Sequence, residues 1–207
     1  MLPDPPLFVV SDRAQARQKL TAIAEAAFLG GCRWFSLREK DLPAAERRAL
    51  LAELVVLGGR FGAVVGVHED IAAAVATGAQ GVHLPAGGDP AAARIRLPGA
   101  LIGASAHSVA ETAALLQAGA DYVTLSPIFA SASKPGYGPA LGLDGLAACV
   151  AACAGPVIAL GGVTAANVPL CLAAGARGVA VMGEVMRADD PRLAVERLLH
   201  SLAHRGR

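Results

Sequence analysis

Short apolar runs alternate along the chain with longer, Ala-rich segments whose apolar positions recur at helical spacing. A parallel strand buried on both faces reads as an unbroken apolar run, whereas a helix laid over it keeps a single apolar stripe. The alternation therefore predicts repeated βα units. The apolar runs predict strands at Leu7–Ser11, Arg33–Leu37, Ala63–Val67, Gly81–Leu84, Leu101–Ser105, Tyr122–Ser126, Val157–Leu160 and Gly178–Met182. The periodic segments predict helices over Arg13–Leu29, Pro43–Arg60, Ile71–Ala76, Pro90–Ile95, Ala110–Ala118, Leu143–Ala152, Ala165–Ala173 and Asp190–Ala203.

One phrase recurs at the junctions. Gly78-Ala79-Gln80-Gly81-Val82, Gly119-Ala120-Asp121-Tyr122-Val123 and Gly175-Ala176-Arg177-Gly178-Val179 each set a helix-ending glycine just ahead of a strand. Eight such units without a linker predict an α/β fold, a single (β/α)8 TIM barrel domain over residues 1–207. It is compact beside the about 250 residues typical of that architecture. An open doubly wound sheet shares the alternation, but it usually takes fewer strands and a Gly-x-Gly-x-x-Gly turn, which is absent from the sequence.

Composition narrows the function classes. Hydrophobic residues make up 54% of the chain against 17% charged and 4% aromatic, so the core is built mainly from Ala, Val and Leu. A net charge of +1, with basic residues scattered rather than gathered in a stripe, argues against a nucleic-acid partner and leaves only small, locally held anions. The start, MLPDPPLFVV, lacks the basic and apolar parts of a secretion signal, and no apolar run reaches the about 18 residues that span a bilayer. The expectation is a soluble, cytoplasmic protein with no membrane partner, acting as a monomer or a homodimer. Cys32, Cys149, Cys153 and Cys171 lie in apolar contexts without paired metal-binding spacing and are expected to pack as small hydrophobes.

Barrel chemistry sits at the C-terminal ends of the strands. There the sequence delivers Arg38-Glu39-Lys40-Asp41, His68-Glu69-Asp70, Ser105-Ala106-His107, Gly161-Gly162 and Gly183-Glu184. Arg38, Lys40 and Lys134, with the hydroxyls of Ser131 and Ser133, form a candidate polyphosphate site, because cations and hydroxyls together suit phosphate oxygens. Arg38-Glu39-Lys40-Asp41 taken alone reads equally as a solvated charge run. The segment from Pro127 to Gly142 is longer than an ordinary βα connection, and its glycines and prolines suit a binding loop that closes and reopens. Gly161, Gly162 and Gly183 fall where barrels build a phosphate site from backbone N–H groups. Glu69, Asp70 and Asp89 are candidate Mg²⁺ carboxylates, with helix capping an equal explanation for the two aspartates. His68 and His107 end strands and could exchange protons; His83 reads as a packed core residue, and His200 and His204 as solvated.

FSLREKD, GVHLPAGGD, IGASAHS, ADYVTLSPIFASASK, PVIALGGVTAANV and AGARGVAVMGEV, in that order, resemble the thiamine phosphate synthase and thiazole tautomerase superfamily. The resemblance runs from the second strand to the eighth. It implies a synthase that joins hydroxymethylpyrimidine diphosphate to thiazole phosphate and releases pyrophosphate, with Mg²⁺ as cofactor. Arg38, Lys40, Ser131, Ser133 and Lys134 match its diphosphate positions, Gly162 and Gly183 its thiazole phosphate site, and Ser105 a position close to the reacting pyrimidine. Ser105, Lys134 and His107 form the candidate catalytic set.

Departures fall on the pyrimidine and metal side. Ser36 replaces a usual Gln, His68-Glu69 replaces Asn-Asp, and Pro85-Ala86-Gly87-Gly88 replaces Gly-Gln-x-Asp, with Asp89 one residue late. The related tautomerase, which aromatises a carboxylated thiazole phosphate by proton transfer and needs no metal, also resembles LPAGG, and His107 matches its acid–base histidine. Lys40, Ser131, Ser133 and Lys134 have less purpose in that enzyme. A third reading is a sensor that binds thiamine phosphates without turnover.

Overall fold

The computed structural model describes residues 1–130 and 139–203. Eight parallel strands close a barrel in chain order. They are β1 (Leu7–Val10), β2 (Trp34–Leu37), β3 (Val64–His68), β4 (Gly81–Leu84), β5 (Leu101–Ala106), β6 (Tyr122–Leu125), β7 (Val157–Ala159) and β8 (Gly178–Val181). β8 pairs with β1, so no edge is left open and the doubly wound alternative is excluded. The helices are α1 (Leu20–Leu29), α2 (Ala44–Gly59), α3 (Ile71–Thr77), α4 (Pro90–Arg96), α5 (Val109–Gln117), α6 (Gly142–Ala152), α7 (Val168–Ala173), α8 (Gly183–Met186) and α9 (Pro191–Ala203). Among the described residues no helix is long and apolar enough to cross a membrane.

Alternation along each strand sorts the side chains into two cores. Leu7 and Val9 pack outward with Phe35, Leu37 and the helices, while Phe8 and Val10 turn inward to Trp34, Tyr122, Ile158 and Ala180. Three of the eight aromatic residues, Phe8, Trp34 and Tyr122, thus fill the middle of the barrel. Phe8 stacks on Trp34 with ring centroids 4.3 Å apart, and Tyr122 meets Trp34 edge-on at 4.6 Å. Gly103 makes this possible, since a methyl group there would overlap the Tyr122 ring.

The repeated Gly-Ala phrase is a repeated hydrogen-bond solution. Gly78, Gly119 and Gly175 adopt φ of 68°, 94° and 92°, and the following alanine donates back to a helix carbonyl, Ala79 to Ala74, Ala120 to Leu115 and Ala176 to Cys171. The next residue then donates to the neighbouring strand: Gln80 to Val65, Asp121 to Ile102 and Arg177 to Val157. Glycine supplies the left-handed turn that a side chain would strain. Two side chains reinforce the same junctions. The Gln80 amide oxygen accepts from Val65 N–H at 3.1 Å, and the Asp121 carboxylate from Ile102 N–H at 2.7 Å and Arg94 at 2.6 Å.

Three elements differ from expectation. α1 starts at Leu20 instead of Arg13, because Asp12 accepts from Ala14 N–H at 3.1 Å and from the Gln15 side chain at 2.5 Å, while Arg17 N–H donates to Met186. These bonds hold a turn in place of a first helical turn. α7 starts at Val168 instead of Ala165, since Asn167 bridges Thr164 N–H (2.8 Å) and the Gly162 carbonyl (2.9 Å). The short α8 was not expected. All four cysteines are free thiols, and burial pushes Cys32 up to about 12, so it packs as an inert SH group.

Candidate active site

One cavity of about 800 Å³ opens at the C-terminal rim and reaches strand ends all round the barrel. The charge run after β2 splits by alternation. Arg38 and Lys40 line the cavity, whereas Glu39 turns back and is 2% exposed. Its carboxylate accepts from the Ser11 hydroxyl at 2.6 Å and from Arg13 N–H at 3.0 Å, and the Ser11 oxygen in turn accepts from Arg38 N–H at 2.8 Å. Burial raises Glu39 above the usual carboxylate range, against the pull of those hydrogen bonds. Asp41 pairs with Arg13. The two acids of the run therefore join β1 to β2, and the two bases face the ligand space.

Glu69 also lines the cavity and forms an ion pair with Lys40. Its φ of 65° is unusual for a residue with a side chain, and its N–H donates to the His83 carbonyl at 2.9 Å. Asp70 and Asp89 have other duties. Asp70 caps α3 through Ala73 N–H and receives the Arg47 guanidinium at 2.7 Å. Although burial raises Asp70, Arg47 and the cap bond outweigh it and hold the carboxyl below the usual range. Asp89 caps α4 through Ala92 N–H at 3.0 Å and is not among the residues lining the cavity. Among the described residues no group of three or more metal-ligating side chains occurs. Among the described residues the carboxylates lining the cavity are Glu69, paired with Lys40, and Glu184, beside Gly183; Glu69 is the one that stands with the Arg38 and Lys40 cations, where it could serve Mg²⁺. That fits a hard cation completed by phosphate oxygens and water, and it corrects the expectation of Asp89 as a second ligand.

Of the two residues expected on the pyrimidine side, His68 lines the cavity and its ring lies tilted against His83 with centroids 4.6 Å apart. Ser36 does not line it: the side chain is 2% exposed, and its hydroxyl has no hydrogen-bond partner among the described residues. A serine is too short to reach where a longer amide would.

His83, read from sequence as core packing, is fully buried and also holds the candidate catalytic hydroxyl. Its Nε2 lies 3.0 Å from the Ser105 Oγ and 3.3 Å from Thr124, and its Nδ1 lies 3.0 Å from the Tyr122 hydroxyl. Ser105 is therefore oriented by a ring fixed on both sides. Burial pushes His83 down to about 3, with Arg38 adding to the effect. Unfolding returns it to 6.5. Below that pH the unfolded chain binds a proton that the folded chain does not, so stability falls as the pH drops, by about 2 kcal/mol at about pH 5. The melting temperature of the wild type should fall more steeply on acidification than that of His83→Asn; parallel slopes would assign the acid sensitivity elsewhere.

His107 lines the same cavity. Its Nδ1 lies 2.7 Å from the Ser126 carbonyl, which can only accept, so Nδ1 carries hydrogen and in the neutral ring the lone pair is on Nε2. Its own backbone N–H donates to Glu111 at 2.7 Å. Across the cavity, Gly161 and Gly162 adopt φ of 94° and 63°. They are glycine for a second reason too, because the chain after β6 passes close by: Phe129 N–H donates to Gly161, and a methyl on Gly162 would stand 2.5 Å from the Ala130 carbonyl oxygen. Gly183 and Arg187 line the wall beside β8. Ser131, Ser133 and Lys134 lie outside the described residues, as do Pro135, Gly136 and Gly138 of the same loop and His204; Ala130 and Ala140, on either side of that loop, both line the cavity. Sequence reading missed His83 as a positioning group and Arg187. The signal for His83 was its inward parity on β4, two residues of sheet register from Ser105.

A family described as thiamine monophosphate synthase matches residues 7–185. A thiamine-phosphate synthase of Methanoculleus marisnigri is 41% identical over 200 residues, covering 95% of each chain. One from a Roseiflexus species is 37% identical over 199 residues, covering 95% of this chain and 84% of its own. Among solved structures, a thiamine phosphate pyrophosphorylase from Pyrococcus furiosus superposes with a TM-score of 0.86 at 30% identity, covering 96% of this chain and 95% of its own.

Proposed function

The chain belongs to the thiamine monophosphate synthase family, and from that premise we propose that it transfers a hydroxymethylpyrimidine group from its diphosphate to the ring nitrogen of a thiazole phosphate. The observation that carries this reading is one cavity with Arg38 and Lys40 on one wall and Gly161, Gly162 and Gly183 on another, enough for two phosphorylated ends. As the bond from the pyrimidine methylene carbon to the diphosphate oxygen breaks, charge accumulates on the leaving pyrophosphate. Fixed cations stabilise that state more than the bound substrate. Arg38 and Lys40 take this role, joined by Ser131, Ser133 and Lys134 of the loop after β6. Ser105, held by His83, stands beside the pyrimidine. Mg²⁺ bound to the diphosphate, with Glu69 as its protein carboxylate, would supply further neutralising charge. The glycine wall receives the thiazole phosphate and aims its ring nitrogen at the carbon. The work is cytoplasmic, on small phosphorylated substrates.

A second reading is the thiazole tautomerase, favoured by the Nε2 lone pair of His107, which suits proton transfer. Pyrophosphate release from purified protein separates the two. Release that needs pyrimidine diphosphate, thiazole phosphate and Mg²⁺ together, with thiamine phosphate as product, is the expected result. Folded protein that releases none but aromatises the carboxylated thiazole would replace the synthase with the tautomerase; saturable binding without turnover of either substrate set would mark a sensor.

A further inference from the structure

We infer that Arg187 is a side-chain receptor for the phosphate of the thiazole substrate, adding a cation to the wall formed with Gly161, Gly162 and Gly183. The inference rests on the synthase reading for the identity of that ligand. α8 is a single turn, closed by Arg187 N–H donating to the Gly183 carbonyl at 3.0 Å, which sets residues 183 and 187 one above the other. An arginine at the end of so short a helix could extend into water and satisfy the helix carbonyls. Arg187 instead folds back across Gly183: a methyl group built on Gly183 would overlap its guanidinium. A side chain at residue 183 would therefore push the guanidinium out of this position.

The guanidinium is held in this place. Arg187 donates to the Gln15 side-chain oxygen, and the Gln15 amide nitrogen donates to Asp12 at 2.5 Å and lies 3.6 Å from the Met182 sulfur. Residues from the turn after β1 and from the end of β8 therefore orient a cation on the cavity wall that Gly183 also lines. Glu184 lines the cavity nearby. A phosphate dianion is the ligand class that a pre-set planar fork of N–H donors selects, and a neutral thiazole alcohol gains little from it.

The test is a comparison of wild type with Arg187→Gln, which keeps length and polarity but removes the charge. KM for thiazole phosphate should rise at least about tenfold, the loss of one charge-assisted contact, while KM for the pyrimidine diphosphate stays within about twofold. With the unphosphorylated thiazole alcohol, the two proteins should have equal kcat/KM. Gly183→Ala, which displaces the guanidinium while leaving its charge in the protein, should show the same selectivity. An unchanged KM for thiazole phosphate, or an equal penalty with phosphate and alcohol, would overturn the assignment. Calorimetric titration with thiazole phosphate alone separates this failure from that of the synthase reading. Binding lost in Arg187→Gln, with no pyrophosphate release by either protein, supports the Arg187 site and removes the synthase; a wild type that binds no thiazole phosphate removes both.

Discussion

Lys40→Ala is expected to lower kcat/KM for pyrophosphate release by at least about hundredfold. Lys40 lines the cavity from the segment after β2, with Arg38, and its counter-charge is Glu69 just past the end of β3. On the proposed reading its contact with a leaving diphosphate strengthens as the carbon–oxygen bond breaks, because the charge grows while the cation is already in place. Removing one donor of this kind costs about 3 kcal/mol, or roughly a hundredfold to a thousandfold in rate. Lys40→Arg keeps the charge and should retain part of the activity. Glu69→Gln distinguishes two roles for its partner. If Glu69 serves only to hold Lys40, the loss is small and insensitive to Mg²⁺; if it also holds the cation, the Mg²⁺ concentration for half-maximal rate rises. A Lys40→Ala enzyme within threefold of wild type would remove β2 from the diphosphate site.

Gly103→Val is expected to cost more than about 4 kcal/mol of stability, seen as a lower denaturant midpoint or as failure to accumulate folded protein. A side chain at this position enters the space of the Tyr122 ring. That ring cannot step aside: it is fully buried, edge-on to Trp34 at 4.6 Å and to Phe8 at 5.8 Å, with its hydroxyl on His83. Overpacking alone costs about 1–3 kcal/mol, and each buried polar group left without its partner adds about 1–3 more. Against a total of about 5–15 kcal/mol, such a loss is decisive. Adding Tyr122→Ala should recover part of it by opening the space. A wild-type midpoint for Gly103→Val alone would mean that the aromatic cluster rearranges freely.

Much of the barrel is legible in the sequence because most positions of its buried parallel strands are Val, Leu, Ile, Ala or Gly. The predicted strand ends are within a residue or two of those observed, and the Gly-Ala junction phrase corresponds to one hydrogen-bond arrangement made three times. Errors arise where side chains compete with the backbone. Asp12 and Asn167 capture nearby N–H and carbonyl groups and delay α1 and α7, and no helical period reports that competition. At the rim, sequence lists residue types at strand ends but not their direction. Glu39 and Lys40 are neighbours in the chain, yet one is turned into the wall and the other into the cavity. His83 looked like core, and it is, but its polar atoms have to bond somewhere in that core and one of them finds Ser105. Arg187 escaped notice because it becomes part of the cavity only through a one-turn helix too short to show a period.

The junction bonds of Gln80 and Asp121 lie toward the opposite mouth of the barrel from Arg38, Lys40 and Ser105, a short strand's length away, or roughly 10–15 Å. These junction bonds therefore add stability at the end of the strands remote from the proposed site. Directed evolution can harden the lower mouth, through the surroundings of Arg94 and Asp121 for example, without narrowing the mouth through which substrates enter. Substitutions there are expected to raise heat resistance while leaving the proposed catalytic rate unchanged.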